Sequence, residues 1–152
     1  MRQLRSHPGA GLKTLRLFTD GAARGNPGPA GAGVVIEDDQ GVRLQGLCRW
    51  LGKATNNEAE YLALIDALKA AAEWKPERLE IFMDSKLVVE QLRGNYKIKK
   101  PELQALAQQA KQLLGTFPEY TLDHVERDKN AGADALANRA IDAHVKKPGR
   151  AG

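Results

Sequence analysis

Apolar residues follow two rhythms along this chain, and the change from one to the other divides it into elements. Thr14 to Thr19 is a short, mostly apolar run that ends at Asp20 and gives way to a loop dense in Gly and Pro, Gly21 to Pro29. Gly31 to Glu37 and Val42 to Trp50 are β-like, and Asp38-Asp39-Gln40-Gly41 between them favours a tight reversal, so these two runs predict a hairpin. The helical period then takes over. Thr55 followed three residues later by Glu58 has the form of a capping box, and the helix it opens is predicted to run to about Trp74, ahead of Pro76. Leu79 to Met83 reads as a strand, Ser85 to Leu92 as a helix stopped by Gly94, and Pro101 to Leu114 as another helix. Tyr120 to Val125 reads as a last strand, and about Ala131 to Val145 as a closing helix. Three antiparallel strands open the order βββαβααβα. Strands separated by helices must run parallel through crossovers, so the fold class predicted is α/β, a mixed sheet flanked by helices. The breaker-rich stretches 1–13 and 146–152 predict flexible tails around one domain over 14–145.

Four acidic residues break this pattern. At the helical period Glu60 falls in the apolar arc formed by Ala63, Leu64, Ala67, Leu68 and Ala71, while Glu58, Asp66, Lys69 and Glu73 lie opposite. A solvated salt-bridge glutamate belongs on that opposite face, so Glu60 calls for a partner, and a cation is the simplest. Asp20 and Asp84 each follow a near-continuous apolar run of the kind found in central strands, and ligands of α/β sheets gather at the carboxyl ends of such strands. Singly, either could be a turn residue or a helix cap; on adjacent strands they read as ligands. Asp134 lies in the first turn of the closing helix, where the helix dipole alone accommodates an acid. Carboxylates gathered in a partly dry site repel one another, and such a cluster is tolerable chiefly around metal ions.

Composition narrows the setting. The 152 residues suit one domain with one core. A net charge of +4 built from 23 basic and 19 acidic residues points only weakly to an anionic partner. Cys48 is the single cysteine, no Cys/His spacing suggests zinc, and no run is apolar enough to be a membrane helix, so a cytoplasmic protein is expected. No long heptad pattern announces a partner helix, which predicts a monomer.

The residues Thr19-Asp20-Gly21-Ala22-Ala23-Arg24-Gly25-Asn26-Pro27-Gly28-Pro29-Ala30-Gly31, Thr55-Asn56-Asn57-Glu58-Ala59-Glu60, Met83-Asp84-Ser85 and Ala133-Asp134-Ala135-Leu136-Ala137 occur in an order and at a spacing that resemble type 1 ribonuclease H. The resemblance covers roughly Leu15 to His144; the first two motifs together are specific, the last two alone would carry little. It implies a five-stranded mixed sheet in the order 3-2-1-4-5. It also implies endonucleolytic hydrolysis of the RNA strand of RNA/DNA hybrids by two Mg²⁺ ions, with Mn²⁺ a possible substitute, leaving 5′-phosphate and 3′-hydroxyl ends. Asp20, Glu60, Asp84 and Asp134 would then be the catalytic and metal-binding residues, with Asp20 bridging both ions. Oxygen ligands of this kind suit Mg²⁺, and two ions about 3.5–4 Å apart can activate a water and stabilise a leaving oxygen. Gly21, Asn26, Thr55, Asn56, Asn57 and Ser85 would bind the hybrid, although at least one of the Thr55-Asn56-Asn57 side chains should cap its helix. Gly25, Gly28 and Gly31 are expected to let backbone approach nucleic acid; a Rossmann glycine loop would lead into a helix, and this one leads into a strand.

Two departures matter. Many members carry a histidine before the last aspartate; here Glu126 to Asn130 has none, His124 lies earlier in a strand, and Arg127 could stand in by stabilising phosphate charge. Many bacterial relatives also insert a basic, Trp-bearing protrusion, whereas this chain has only Arg93 to Pro101, with Lys97, Lys99 and Lys100 as either phosphate contacts or a solvated turn. The rival readings are a non-cleaving hybrid-binding module of the same fold, from which retention of all four acids argues away, and another nuclease of the superfold.

Overall fold

The computed structural model describes residues 13–145, so the predicted tails, apart from residue 13, lie outside the described residues. Five strands, β1 (Thr14–Ala23), β2 (Gly28–Glu37), β3 (Arg43–Ala54), β4 (Arg78–Met83) and β5 (Tyr120–His124), form one sheet in the order β3-β2-β1-β4-β5. The first three are antiparallel neighbours, and β4 and β5 join by parallel pairing, as crossover connections require. Four helices flank the sheet: α1 (Asn56–Ala72), α2 (Lys86–Leu92), α3 (Pro101–Leu114) and α4 (Ala131–His144).

The β2–β3 reversal forms where Asp38-Asp39-Gln40-Gly41 predicted it. The Asp38 carboxylate accepts from the backbone N–H of Gln40 and Val42, and Gly41 takes a φ of 81° that only glycine adopts without strain. Thr55 caps α1 in a complete capping box: its hydroxyl accepts from Glu58 N at 3.1 Å while the Glu58 carboxylate accepts from Thr55 N at 2.8 Å. Leu15, Leu17, Val34, Ile36, Leu79, Ile81 and Met83 project from one face of the sheet into a core closed by α1 and α3. Because α1 lies between the sheet and α3, its buried surface is wider than the predicted stripe and takes in Tyr61 and Ile65.

Several boundaries differ from expectation. Asp20 does not end its strand. β1 continues to Ala23, because the β2 partner offers backbone groups beyond the point where β4 stops: pairing to β4 ends at Thr19↔Met83, and pairing to β2 runs on through Ala23↔Ala30. The predicted nine-residue loop is thereby reduced to a tight turn between Ala23 and Gly28. α1 ends at Ala72, two residues short of Trp74, and the supposed loop before α4 contains a one-turn 3-10 helix, Arg127–Asn130.

Candidate active site

The early end of β4 creates the site. Where it leaves the sheet, a notch opens beside β1, and Asp20 and Asp84 stand on its two sides, one residue past the last paired positions Thr19 and Met83. Glu60 enters from the second turn of α1. One oxygen from each of Asp20, Glu60 and Asp84 lies within 4.8 Å of the others. Asp134, from the first turn of α4, lines the same open cleft of about 460 Å³ without joining that tight trio.

Two close backbone approaches bring the carboxylates together. Gly21 N donates to Glu60 Oε1 at 3.1 Å, and a Cβ at Gly21 would stand 2.1 Å from the Ala59 carbonyl carbon, so the strand can press against α1 only because no side chain intervenes. On the opposite face, a Cβ at Gly33 would lie 2.1 Å from the Ala133 carbonyl oxygen, and Gly33 is paired across the ladder with Asp20. α4 therefore rests on the backbone of β2 through Ala133 and Ala137, which carries Asp134 to the notch.

Electrostatics here oppose the free carboxylates. Burial, then the charges of Glu60, Asp84 and Asp134 and a carboxyl–carboxyl hydrogen bond to Asp134, push Asp20 far above the ordinary aspartate range. Burial raises Glu60 to about 8, against the Gly21 N–H and the Arg127 charge, which pull it down. Arg127 Nε stands 3.9 Å from Asp84 Oδ2 with its side chain 84% exposed, so it overhangs the cleft and faces solvent. These are the properties expected of hard oxygen donors that lack a counter-charge, and a divalent cation supplies one.

The other predicted site residues divide. Gly21, Asn56 and Ser85 line the cleft; Asn26, Thr55 and Asn57 do not. Thr55 is committed to its cap, Ser85 caps α2 by accepting from Val88 N at 3.3 Å, and the Gly21 N–H is occupied by Glu60. Asn26 Oδ1 accepts from Asn56 N at 2.9 Å, and Asn56 Oδ1 accepts from Ala23 N at 3.2 Å, so both amides tie the β1–β2 turn to the start of α1, and their NH₂ groups have no partner among the described residues. Gly31 and Gly28 have roles other than admitting nucleic acid: a Cβ at Gly31 would meet the Ala137 carbonyl oxygen at 2.4 Å, and one at Gly28 the Arg24 carbonyl oxygen at 2.0 Å. His124 is exposed at the end of β5.

Three residues escaped the sequence reading. Asn130, 1% exposed, donates through Nδ2 to the Thr19 carbonyl at 2.9 Å, at the point where the ladder to β4 has ended. Asn138 donates to Asp134 O at 3.0 Å and Oδ1 at 3.3 Å, and Arg24 reaches Asn138 and Asp142 from the turn. The four-residue spacing of Asn138 from Asp134 was the available signal.

The sequence profile described as "Reverse transcriptase-like" matches residues 18–140. The chain is 32% identical to the Ribonuclease H of Alcanivorax borkumensis, across 92% of this chain and 99% of that one. The chain belongs to the ribonuclease H family. It is 45% identical over 129 residues to the Ribonuclease HI of Halobacterium salinarum, covering 84% of this chain. The crystal structure of the RNase H1 from that organism superposes with a TM-score of 0.84 at 42% identity, over 86% of this chain and 98% of that one. An RNase H1 called LC11, crystallised in complex with an RNA/DNA hybrid, matches with a TM-score of 0.81 at 42% identity, over 85% and 97% of the two chains. The chain spans 64% of the Halobacterium protein and 35% of Mycobacterium tuberculosis and bovis relatives that are 45% identical to it. The strand order 3-2-1-4-5 and flanking helices are those of the family. Among the described residues no helix is long and apolar enough to cross a membrane.

Proposed function

We propose that this ribonuclease H domain, residues 14–145, hydrolyses the RNA strand of RNA/DNA hybrids with two Mg²⁺ ions, leaving 5′-phosphate and 3′-hydroxyl ends, and that it acts as a cytoplasmic monomer. The observation that carries the reading is the trio of carboxylates within 4.8 Å at the open end of β4, with a fourth in the same cleft. The crystallised complex of LC11 with an RNA/DNA hybrid supports the substrate class.

Asp20, Glu60, Asp84 and Asp134 would hold the cations. Bound there, the ions would supply an activated water and charge stabilisation at phosphorus. The chain itself would orient and screen. Glu60 is fixed by the Gly21 N–H, and the cleft, open to solvent, admits a backbone phosphate and the attacking water. In the reaction water oxygen bonds to phosphorus, the P–O3′ bond breaks, and the released 3′-oxygen takes a proton. No side-chain nucleophile is required. The free NH₂ groups of Asn26 and Asn56, with Asn57 beside them at the α1 N-terminus, would donate to sugar and phosphate oxygens, and Arg127 would offset phosphate charge over the cleft. The structural duties of Gly21, Thr55 and Ser85 leave them as supports of the substrate groove.

Cleavage of an end-labelled RNA/DNA hybrid tests the reading. Cutting in Mg²⁺ should disappear in EDTA and in Asp20→Asn. Cutting that persisted in EDTA would remove the metal mechanism, and metal-dependent binding without cutting would favour a non-cleaving module.

A further inference from the structure

The turn between β1 and β2 touches both helices that carry acids, and the two contacts differ in kind. Toward α1 it offers Asn26, whose Oδ1 accepts from Asn56 N at the first residue of the helix. Toward α4 it offers Arg24, whose fork spans one helical turn: Nη1 lies 2.8 Å from Asp142 Oδ1, and Nη2 donates to Asn138 Oδ1 at 3.1 Å. With Asn138 Oδ1 occupied by Arg24, its Nδ2 is directed the other way, to Asp134, whose backbone O it meets at 3.0 Å and whose Oδ1 at 3.3 Å. Arg24 is itself fixed by its backbone N–H, which donates to Pro29 O at 2.8 Å, and by the close packing of Gly28 on its carbonyl. The Arg24–Asp142 pair is about half exposed on both sides (41% and 48%), and an ion pair of that kind contributes little by itself. What it provides is geometry.

We infer that Arg24 and Asn138 form a relay that sets the direction of the Asp134 carboxylate in the cleft it shares with Asp20, Glu60 and Asp84. Asn138 is a positioning residue that acts through Asp134, and Arg24 is a positioning residue that acts through Asn138. An amide in contact with one carboxylate oxygen leaves the other oxygen free to bind a cation, and such outer partners of metal ligands typically change affinity or activity by about 10- to 100-fold when lost. The Asn138–Asp134 contact is only partly buried, so the lower end applies. The inference rests on the metal-dependent reading proposed above. It also gives the β1–β2 turn a second role, because anything that grips the turn bears on the fourth acid.

The test measures Mn²⁺ binding to the full chain directly, by electron paramagnetic resonance of free Mn²⁺ in the absence of nucleic acid, beside hybrid cleavage across a metal series. Asn138→Ala should weaken the Mn²⁺ site that Asp134→Asn also weakens, by about 10-fold, and lower kcat at limiting metal with KM for hybrid within about twofold. Arg24→Ala should do the same to a smaller degree, and the double variant should match Asn138→Ala alone, because both act along one path. Arg24→Lys, which keeps the charge but not the fork, should resemble Arg24→Ala. Additive losses in the double variant, or unchanged Mn²⁺ binding and metal dependence in Asn138→Ala beside a normal wild type, would overturn the relay alone. A wild type that binds no Mn²⁺ would overturn the metal reading and the relay together. Should Asn138→Ala fail to fold, Arg24→Ala, a change at the surface, decides by the same two readouts.

Discussion

At the scale of single residues, the site is a group of acids whose protonation the fold controls. Glu60 has an ordinary value of 4.5 and is raised to about 8, chiefly by burial, and Asp20 is raised further for the same reason. A raised carboxyl favours the protonated form when folded, so its contribution to stability is whole below the ordinary value and is lost as pH rises through the folded one. In EDTA the protein should therefore lose stability between about pH 4.5 and 8. Asp20→Asn should flatten that loss and raise Tm near pH 8 by roughly 3–6 °C, equivalent to about 1–2 kcal/mol. Mg²⁺ should restore the wild type at pH 8 and do little for the variant. Thermal melts at several pH values with and without metal check this, and a wild-type curve in EDTA that is flat over the range would contradict the burial argument. Arg127 belongs at this scale too. It is exposed, near Asp84, and favours the charged form of Glu60. Arg127→Ala should lower turnover at saturating hybrid by about 5- to 10-fold, the size of a lost charge-assisted hydrogen bond of about 1–1.5 kcal/mol. Turnover unchanged at saturating substrate would reduce Arg127 to a surface charge.

Elements bring those residues together, and here the sequence was legible in part. Glu60 announced itself because a charge in an apolar arc conflicts with the period around it, and the capping box placed the start of α1 to the residue. Asp20 and Asp84 were readable as neighbours because apolar runs precede both. What could not be read was how far β1 continues, since that depends on a partner strand and not on β1 itself, nor that Gly31 and Gly33 admit a helix and not a ligand. Glycines near a motif look functional from the sequence; only packing reveals which neighbour needs the space. Asn130 and Asn138 were hidden for the same reason, being ordinary polar residues until α4 is laid on the sheet. Gly33→Ala tests the packing claim. Its Cβ would meet the Ala133 carbonyl oxygen, so α4 must shift, at a cost of about 1–3 kcal/mol from overpacking. Because Asp134 rides on α4, cleavage should fall by more than the unfolded fraction explains at a temperature where most of the variant is folded. Activity that simply tracked the folded fraction would show that α4 can move without displacing the acid.

Across the whole molecule the question is how a chain with a net charge of only +4 would hold a polyanion. The cleft itself is lined by acids, so affinity for the proposed duplex substrate would have to come from charges set away from it. The segment between α2 and α3 offers Lys97, Lys99 and Lys100, all exposed, on backbone fixed at both ends. Gln91 Nε2 donates to Lys97 O, Gln104 Nε2 donates to Ile98 O, and Gln91 is itself held by Tyr61, the neighbour of Glu60. A solvated turn has no need of such anchoring, and α2 connects the segment to Asp84, so the backbone that carries the three lysines has a fixed bearing relative to the acids. Each phosphate neutralised releases counterions, which makes binding fall with salt in proportion to the number of contacts. Changing all three lysines to Gln should therefore reduce the slope of log affinity against log salt by about 2–3 units, measured by fluorescence anisotropy on a hybrid in Ca²⁺ to suppress cutting. Rates at saturating hybrid and low salt should stay near wild type, since none of these three lysines lines the cleft. An unchanged slope would return the segment to a solvated turn and shift the search for phosphate contacts to the amide-rich end of α1.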